Sequence, residues 1–186
     1  MWVRPRLTRF LAPIGKGLAA VGMTPAAMTV SGVVVVIAGS LTIATGRLAI
    51  GATIVLIGSL LDGLDGAVAR ASNSVTARGA FLDSVFDRLG EIAAFAGLGF
   101  AMAGDIRALL LIILALGGAL LVPYIRARAE GVGLAGKGGV MGRAERVILF
   151  GAGLIFGLVE PMLWIFMVLV WSTAFIRFVT TYRSIA

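Results

Sequence analysis

Four carboxylates are the side chains of this 186-residue chain best placed to do chemistry. The stretch Asp62-Gly-Leu-Asp65-Gly66-Ala-Val-Ala69-Arg70 is followed, eight residues on, by Gly79-Ala-Phe-Leu-Asp83-Ser-Val-Phe-Asp87. Asp62 and Asp65 are spaced i,i+3 and Asp83 and Asp87 i,i+4, so in helices each pair shares one face. Both stretches sit inside hydrophobic segments, where a charge at mid-helix costs about 2.5–3.5 kcal/mol on insertion scales. Four such charges close together need a cation, and all-oxygen donors favour a hard one, Mg²⁺ or Mn²⁺. The chain has no Cys and no His, which removes thiolate nucleophiles, Cys/His zinc sites and Ser-His-Asp triads. Gly63, Gly66 and Gly79 leave bare backbone beside the carboxylates, and Arg70 adds a cation. That combination suits a metal site with open positions that takes a phosphate-bearing ligand. A proton relay or ion path in a small transporter is the competing reading of intramembrane carboxylates.

The elements that must position these groups are membrane spans. About 60% of residues are hydrophobic and 13% charged, against about 25% charged in an ordinary soluble domain. This excludes a soluble enzyme, a disordered tail and a nucleic-acid-binding domain. The net charge of +7 then reads as topology and contact with anionic lipid. A span needs about 20 apolar residues, and six candidates are found: 28–44, 48–70, 79–102, 106–126, 144–158 and 161–180. Glycine-, serine- or proline-containing breaks separate them. Residues 1–22 have no unbroken apolar core of the signal-peptide kind. Trp2, Leu7, Phe10, Leu11 and Ile14 recur at roughly helical spacing among Arg4, Arg6, Arg9 and Lys16, which predicts an amphipathic helix lying in the interface. The expected fold is an all-α integral membrane protein, with an interfacial helix over 1–22 and six transmembrane helices over 23–186. With six spans, only Arg47 and Arg107 fall opposite the remaining Lys and Arg residues. The positive-inside rule then puts both termini in the cytoplasm of a multi-pass cell-membrane protein.

Depth supports a single site. Counted from Arg70, Asp65 lies about 7.5 Å and Asp62 about 12 Å into its span at the helical rise. Counted from Arg78, Asp83 lies about 7.5 Å and Asp87 about 13.5 Å into the next. The two pairs are therefore expected at the same cytoplasmic depth on facing helices.

These residues resemble the signature of the CDP-alcohol phosphotransferase family, D-x2-D-G-x2-A-R-x8-G-x3-D-x3-D. Every specified position matches: Asp62, Asp65, Gly66, Ala69, Arg70, Gly79, Asp83 and Asp87. Thr24-Pro25 and Thr29 resemble the family's Thr-Pro-x3-Thr element. The resemblance implies transfer of a phosphatidyl group from a CDP-linked lipid, CDP-diacylglycerol or CDP-archaeol, to an alcohol, with CMP leaving. It implies that Asp62, Asp65 and Asp83 bind Mg²⁺ or Mn²⁺ and that Asp87 is the general base and touches a second metal. Thr29, Asp62, Gly66, Ala69, Arg70 and Gly79 would bind the CDP-lipid. A homodimer is also implied.

A second cluster bears on the acceptor. Pro123-Tyr124-Ile125-Arg126-Ala127-Arg128-Ala129-Glu130, then Arg143-Ala144-Glu145-Arg146, is similar to a pattern of one branch of that family. Its members make phosphatidylinositol phosphate or archaetidylinositol phosphate. Pro123 stands where the pattern has Ser, and Gly142 where it has an acidic residue. The resemblance implies that Arg126, Arg146 and Arg177 hold the phosphate of inositol phosphate, and three cations facing a dianion favour a phosphorylated alcohol. Glycerol phosphate or another alcohol is the alternative acceptor, and topology alone is the alternative account of the cations. Glu91, one turn beyond Asp87, is expected beside Asp87 or paired with Arg88.

Overall fold

The computed structural model of the chain describes residues 3–136 and 138–185, with side chains from residue 12 onward. The expected apolar face of Trp2, Leu7, Phe10 and Leu11, the side chains of Arg4, Arg6 and Arg9, and Lys137 lie outside the described residues. The described residues form eight helices and no strand: α1 (Val3–Ala20), α2 (Pro25–Ala44), α3 (Leu48–Asp62), α4 (Asp65–Ala71), α5 (Ala77–Ala101), α6 (Ile106–Gly131), α7 (Arg143–Ile155) and α8 (Val159–Ser184).

Local chemistry sets the helix starts. Pro25 opens α2 behind Thr24, whose hydroxyl accepts the Ala27 N–H at 3.1 Å. Thr76 caps α5 by accepting from Gly79 N–H. Asp105 caps α6 by accepting from the Arg107 and Ala108 N–H groups. Each satisfies donors that a helix N-terminus otherwise leaves unpaired. Arg107 pairs with Glu160 at 3.2 Å, both exposed, so that end of the bundle carries an ion pair between α6 and α8.

Four helical stretches are long and apolar enough to cross a membrane: α2, the α3–α4 line over Leu48–Ala71, α6 and α8. The expected count of six is therefore met in four by length and composition. The 25-residue α5 carries Arg78, Asp83, Asp87, Arg88 and Glu91. The 13 residues of α7 reach about 20 Å at the helical rise. A second departure lies at the signature. The span expected to run unbroken through 48–70 is interrupted at Gly63–Leu64, so Asp62 ends α3 and Asp65 begins α4.

α2 is the central element, packed along α3 on one side and α5 on the other, while α6 packs on α8 and α7 lies against α3 and α8. The α2–α3 seam is built on glycine. A Cβ on Gly39 would lie 2.8 Å from Gly51 O and Val55 N, and one on Gly58 would lie 2.8 Å from Gly32 O and Val36 N. The two backbones touch, as small residues allow between helices in lipid. At Gly32 the same gap admits Asp62, whose Cβ would be 2.7 Å from a Cβ placed there. The main core joins α2, α3, α5, α6, α7 and α8 around Phe95, whose ring centroid lies 5.0 Å from Phe150 and 5.2 Å from Phe166. A smaller core of Met28, Leu64 and Val68, with Leu18, Ala19 and Leu61 against it, ties α1 and α2 to the α3–α4 line.

The seam makes a prediction. Gly58→Val forces backbone apart and should destabilise the protein by about 1–3 kcal/mol, the usual cost of overpacking. Gly117→Ala in α6, where a Cβ meets nothing within 4 Å, should be neutral or stabilising. Thermal unfolding of both variants in detergent checks the contrast; equal effects would mean the seam is not a close backbone contact.

Candidate active site

The interruption at Gly63–Leu64 distributes the carboxylates between two adjoining spaces. Asp62 from the end of α3 meets Asp83 and Asp87 from α5, and one oxygen of each lies within 4.8 Å of the others. Asp62 is 4% exposed. Asp62 Oδ1 and Asp87 Oδ1 are buried and accept no hydrogen bond. Buried oxygens without donors, in a set that is oxygen only, fit a hard divalent cation.

Asp65 does not join that triplet. Its carboxylate accepts from the Thr29 hydroxyl at 2.9 Å and from its own Gly66 N–H. It lines a cleft of about 620 Å³, part of it open solvent, together with Thr29, Gly66, Ala69, Arg70, Gly79 and Asp83. Five of the six residues expected to bind the CDP-lipid thus face one cavity, of a size that takes a small ligand. The sixth, Asp62, belongs to the neighbouring space. Arg70 folds back over Gly66, where a Cβ would lie 3.3 Å from its Nη1. Asp83 links the two, since it lines the cleft and has an oxygen within 4.8 Å of those of Asp62 and Asp87, which line the second space.

The second space runs from Asp62 and Asp87 past Arg88, Glu91, Arg143 and Arg146 to the Phe95–Phe150–Phe166 cluster. Glu91 organises its polar wall. It accepts from Arg146 Nε at 2.7 Å and from Arg88 Nη1 at 2.6 Å, so it holds cations from two helices. The expectation that Glu91 pairs with Arg88 was thus half of its role. Arg146 is 4% exposed and lines this space.

The other two candidate acceptor cations are placed differently. Arg126 pairs with Glu130 one turn on, at 2.8 Å, with both side chains about half exposed. Arg177 donates to Gly138 O at 2.9 Å and to Val122 O at 3.1 Å, binding the loop before α7 and the body of α6 to α8. Thr173 reinforces this staple, accepting from Val140 and Met141 N–H while donating to Leu169 O.

Arg143 was missed as a site residue. It opens α7, and its Nη2 donates to Asp62 and lies 2.6 Å from Asp87 Oδ1, off the line that would make a hydrogen bond. A signal for it was present. An Arg in the first turn of a helix opposes the macrodipole, so it requires an acidic partner from elsewhere, and Arg146 three residues on marks the face toward the site.

Comparisons with known proteins agree with this geometry. The family model for CDP-alcohol phosphatidyltransferase matches residues 22–179. The chain is 35% identical over 177 residues to an archaetidylinositol phosphate synthase of Pyrococcus horikoshii, covering 92% of this chain and 90% of that protein. It is 38% identical over 139 residues to a phosphatidylinositol phosphate synthase of Mycolicibacterium smegmatis, covering 72% of this chain. The chain spans between 55% and 63% of the length of several curated relatives it matches. A crystal structure of Mycobacterium tuberculosis phosphatidylinositol phosphate synthase with CDP-DAG bound superposes with a TM-score of 0.86, at 33% identity and 94% coverage of both chains. Another structure of that enzyme, in complex with manganese and citrate, gives 0.84 at 34% identity, covering 92% of this chain and 88% of that one. The family model over most of the chain and these likenesses agree with the matched signature, and the chain belongs to the CDP-alcohol phosphatidyltransferase family.

Proposed function

We propose that this protein transfers a phosphatidyl group from CDP-diacylglycerol, or its archaeol counterpart, to inositol phosphate, releasing CMP. The observation that carries the reading is the junction of two spaces at Asp83. On one side is a cleft lined by the glycines and Arg70 of the signature, and on the other are three gathered carboxylates, two of which, Asp62 and Asp87, keep a buried oxygen that accepts no hydrogen bond. Support also comes from the similar Mycobacterium tuberculosis enzyme, whose structures hold CDP-DAG in one case and manganese with citrate in another.

In this reading Asp62, Asp83 and Asp87 hold Mg²⁺ or Mn²⁺, and Asp65, beside Asp83 in the adjoining cleft, is the fourth carboxylate that turns to the metal. The metal supplies charge stabilisation at the phosphate oxygens during transfer. Thr29, Gly66, Ala69, Arg70 and Gly79 seat the cytidine diphosphate, with the bare backbone of the glycines allowing close approach. The acceptor hydroxyl forms the new bond to the phosphatidyl phosphorus, and the bond from that phosphorus to the bridging oxygen breaks. CMP leaves with the bridging oxygen, and the hydroxyl proton passes to the Asp87 carboxylate. Arg146, with Arg126 and Arg177 on the same side, draws the acceptor's phosphate. Six spans under an interfacial α1, both termini cytoplasmic and a homodimeric assembly complete the proposal. The four apolar helices and the charge distribution along the sequence support the topology.

Three measurements test it. Purified protein given CDP-diacylglycerol, Mn²⁺ and a panel of alcohols should release CMP with inositol phosphate. Turnover with glycerol phosphate alone would move the acceptor assignment, and no CMP with any acceptor would overturn the activity. Asp87→Asn should lower kcat by about 10²–10⁴-fold, the usual worth of a general base, with CDP-lipid affinity little changed. Retained turnover removes Asp87 as the base. Arg146→Gln should raise the acceptor KM by about 10–100-fold, as loss of a charge-assisted hydrogen bond does, and leave the CDP-lipid KM nearly unchanged. Equal rises in both would argue against a dedicated acceptor phosphate site.

A further inference from the structure

Arg143 reaches across from α7 to two carboxylates of the triplet, and this contact carries an inference that rests on the metal-site reading above. Its guanidinium donates to Asp62 and touches Asp87, while the Asp62 and Asp87 side chains are only 6% and 11% exposed. The same two carboxylates would ligate a divalent cation. A guanidinium and a divalent cation drawn to the same two carboxylates repel each other at close range, so each weakens the other's hold.

The arm that delivers this guanidinium is able to withdraw. The Arg143 side chain is 36% exposed, unlike its partners, so it has an opening to swing through. No side chain caps the α7 N-terminus that it opens, and the residue before it is Gly142. Arg146, three residues on, shares its helix face and lines the same space. A withdrawn Arg143 would stay beside Arg146, on the wall proposed to face the acceptor phosphate.

We propose that Arg143 is a positioning residue that stands in for the metal: it neutralises Asp62 and Asp87 in the metal-free protein and yields them to the divalent cation that binds there. An occupant that must be displaced lowers apparent metal affinity by the fraction of molecules in which it has already left. Removing it should therefore tighten metal binding, the opposite of what loss of a merely structural residue would do.

The test uses the full-length protein in detergent, stripped with a chelator and titrated with Mn²⁺ alone by calorimetry. Arg143→Met, which keeps the packing stem, should lower the Mn²⁺ Kd by about fivefold or more. Arg143→Lys, a point charge without the planar fork, should fall between Met and wild type. Affinity equal to or weaker than wild type in folded Met and Lys variants would overturn the proposal. A second measurement needs no variant. Arginine-selective labelling of the wild type with phenylglyoxal, read by peptide mass spectrometry, should increase at Arg143 when Mn²⁺ is added. Labelling that is unchanged or reduced would overturn it. Asp83→Asn separates the two levels of argument: Mn²⁺ affinity unaltered by this change would sink the metal site itself, whatever Arg143 does.

Discussion

Negative charge held inside an apolar bundle is the constraint around which the rest of this structure is arranged. Asp62 is almost completely buried, and Asp83, Asp87 and Glu91 stand beside it on α5. Each needs a counter-charge, since removing one partner of a buried pair costs about 3–5 kcal/mol. Besides Arg88 of α5, which faces Asp87 and Glu91, the counter-charges come from α7, which is too short and too polar at its start to be an ordinary span. Arg143 answers Asp62 and Asp87, and Arg146 answers Glu91. The role of α7 is thus to carry two cations into the bundle at the level of the carboxylates. Beneath them Phe150 and Leu154 close the helix against the aromatic core.

Backbone proximity is the second condition. α2 and α3 touch at Gly32, Gly39, Gly51 and Gly58, and the closeness at Gly32 is what lets Asp62 turn inward from the last residue of α3. High glycine content in a membrane protein is a general sign of tight packing. Here it has a specific use, because the seam that sets the helix spacing also ends at the buried carboxylate.

Much of this was legible in the sequence. The signature positions and the apolar runs of the four long spans needed only spacing and length rules, while the cap at Thr24 starts α2 ahead of the expected residue 28. The break at Gly63–Leu64 did not show. Gly63 and Leu64 have backbone angles close to helical, so the hydrophobic pattern passes through the turn without a gap, and Asp62 and Asp65 read as one face. In the fold they point into different spaces. Arg143 was equally hidden, 81 residues from Asp62, because pairing across such a separation is set by helix packing rather than by local pattern. Arg177 shows the converse. Its chemistry suits a phosphate, yet part of its N–H set goes to two backbone carbonyls, a stapling role that spacing along the chain does not reveal.

The seven residues of α4 are too few to fix a direction by themselves, since isolated helices shorter than about 12–15 residues are marginal. Its tilt is borrowed. α1 lies on it, with Gly15 so near that a Cβ there would sit 2.7 Å from the carbonyl of Ala67. Asp65, Gly66, Ala69 and Arg70 all ride on this short helix. The first helix of the chain therefore sets the floor of the cleft: its close approach at Ala67, together with the packing of Leu18 and Ala19 on Leu64 and Val68, orients the short helix that carries Asp65 and Arg70.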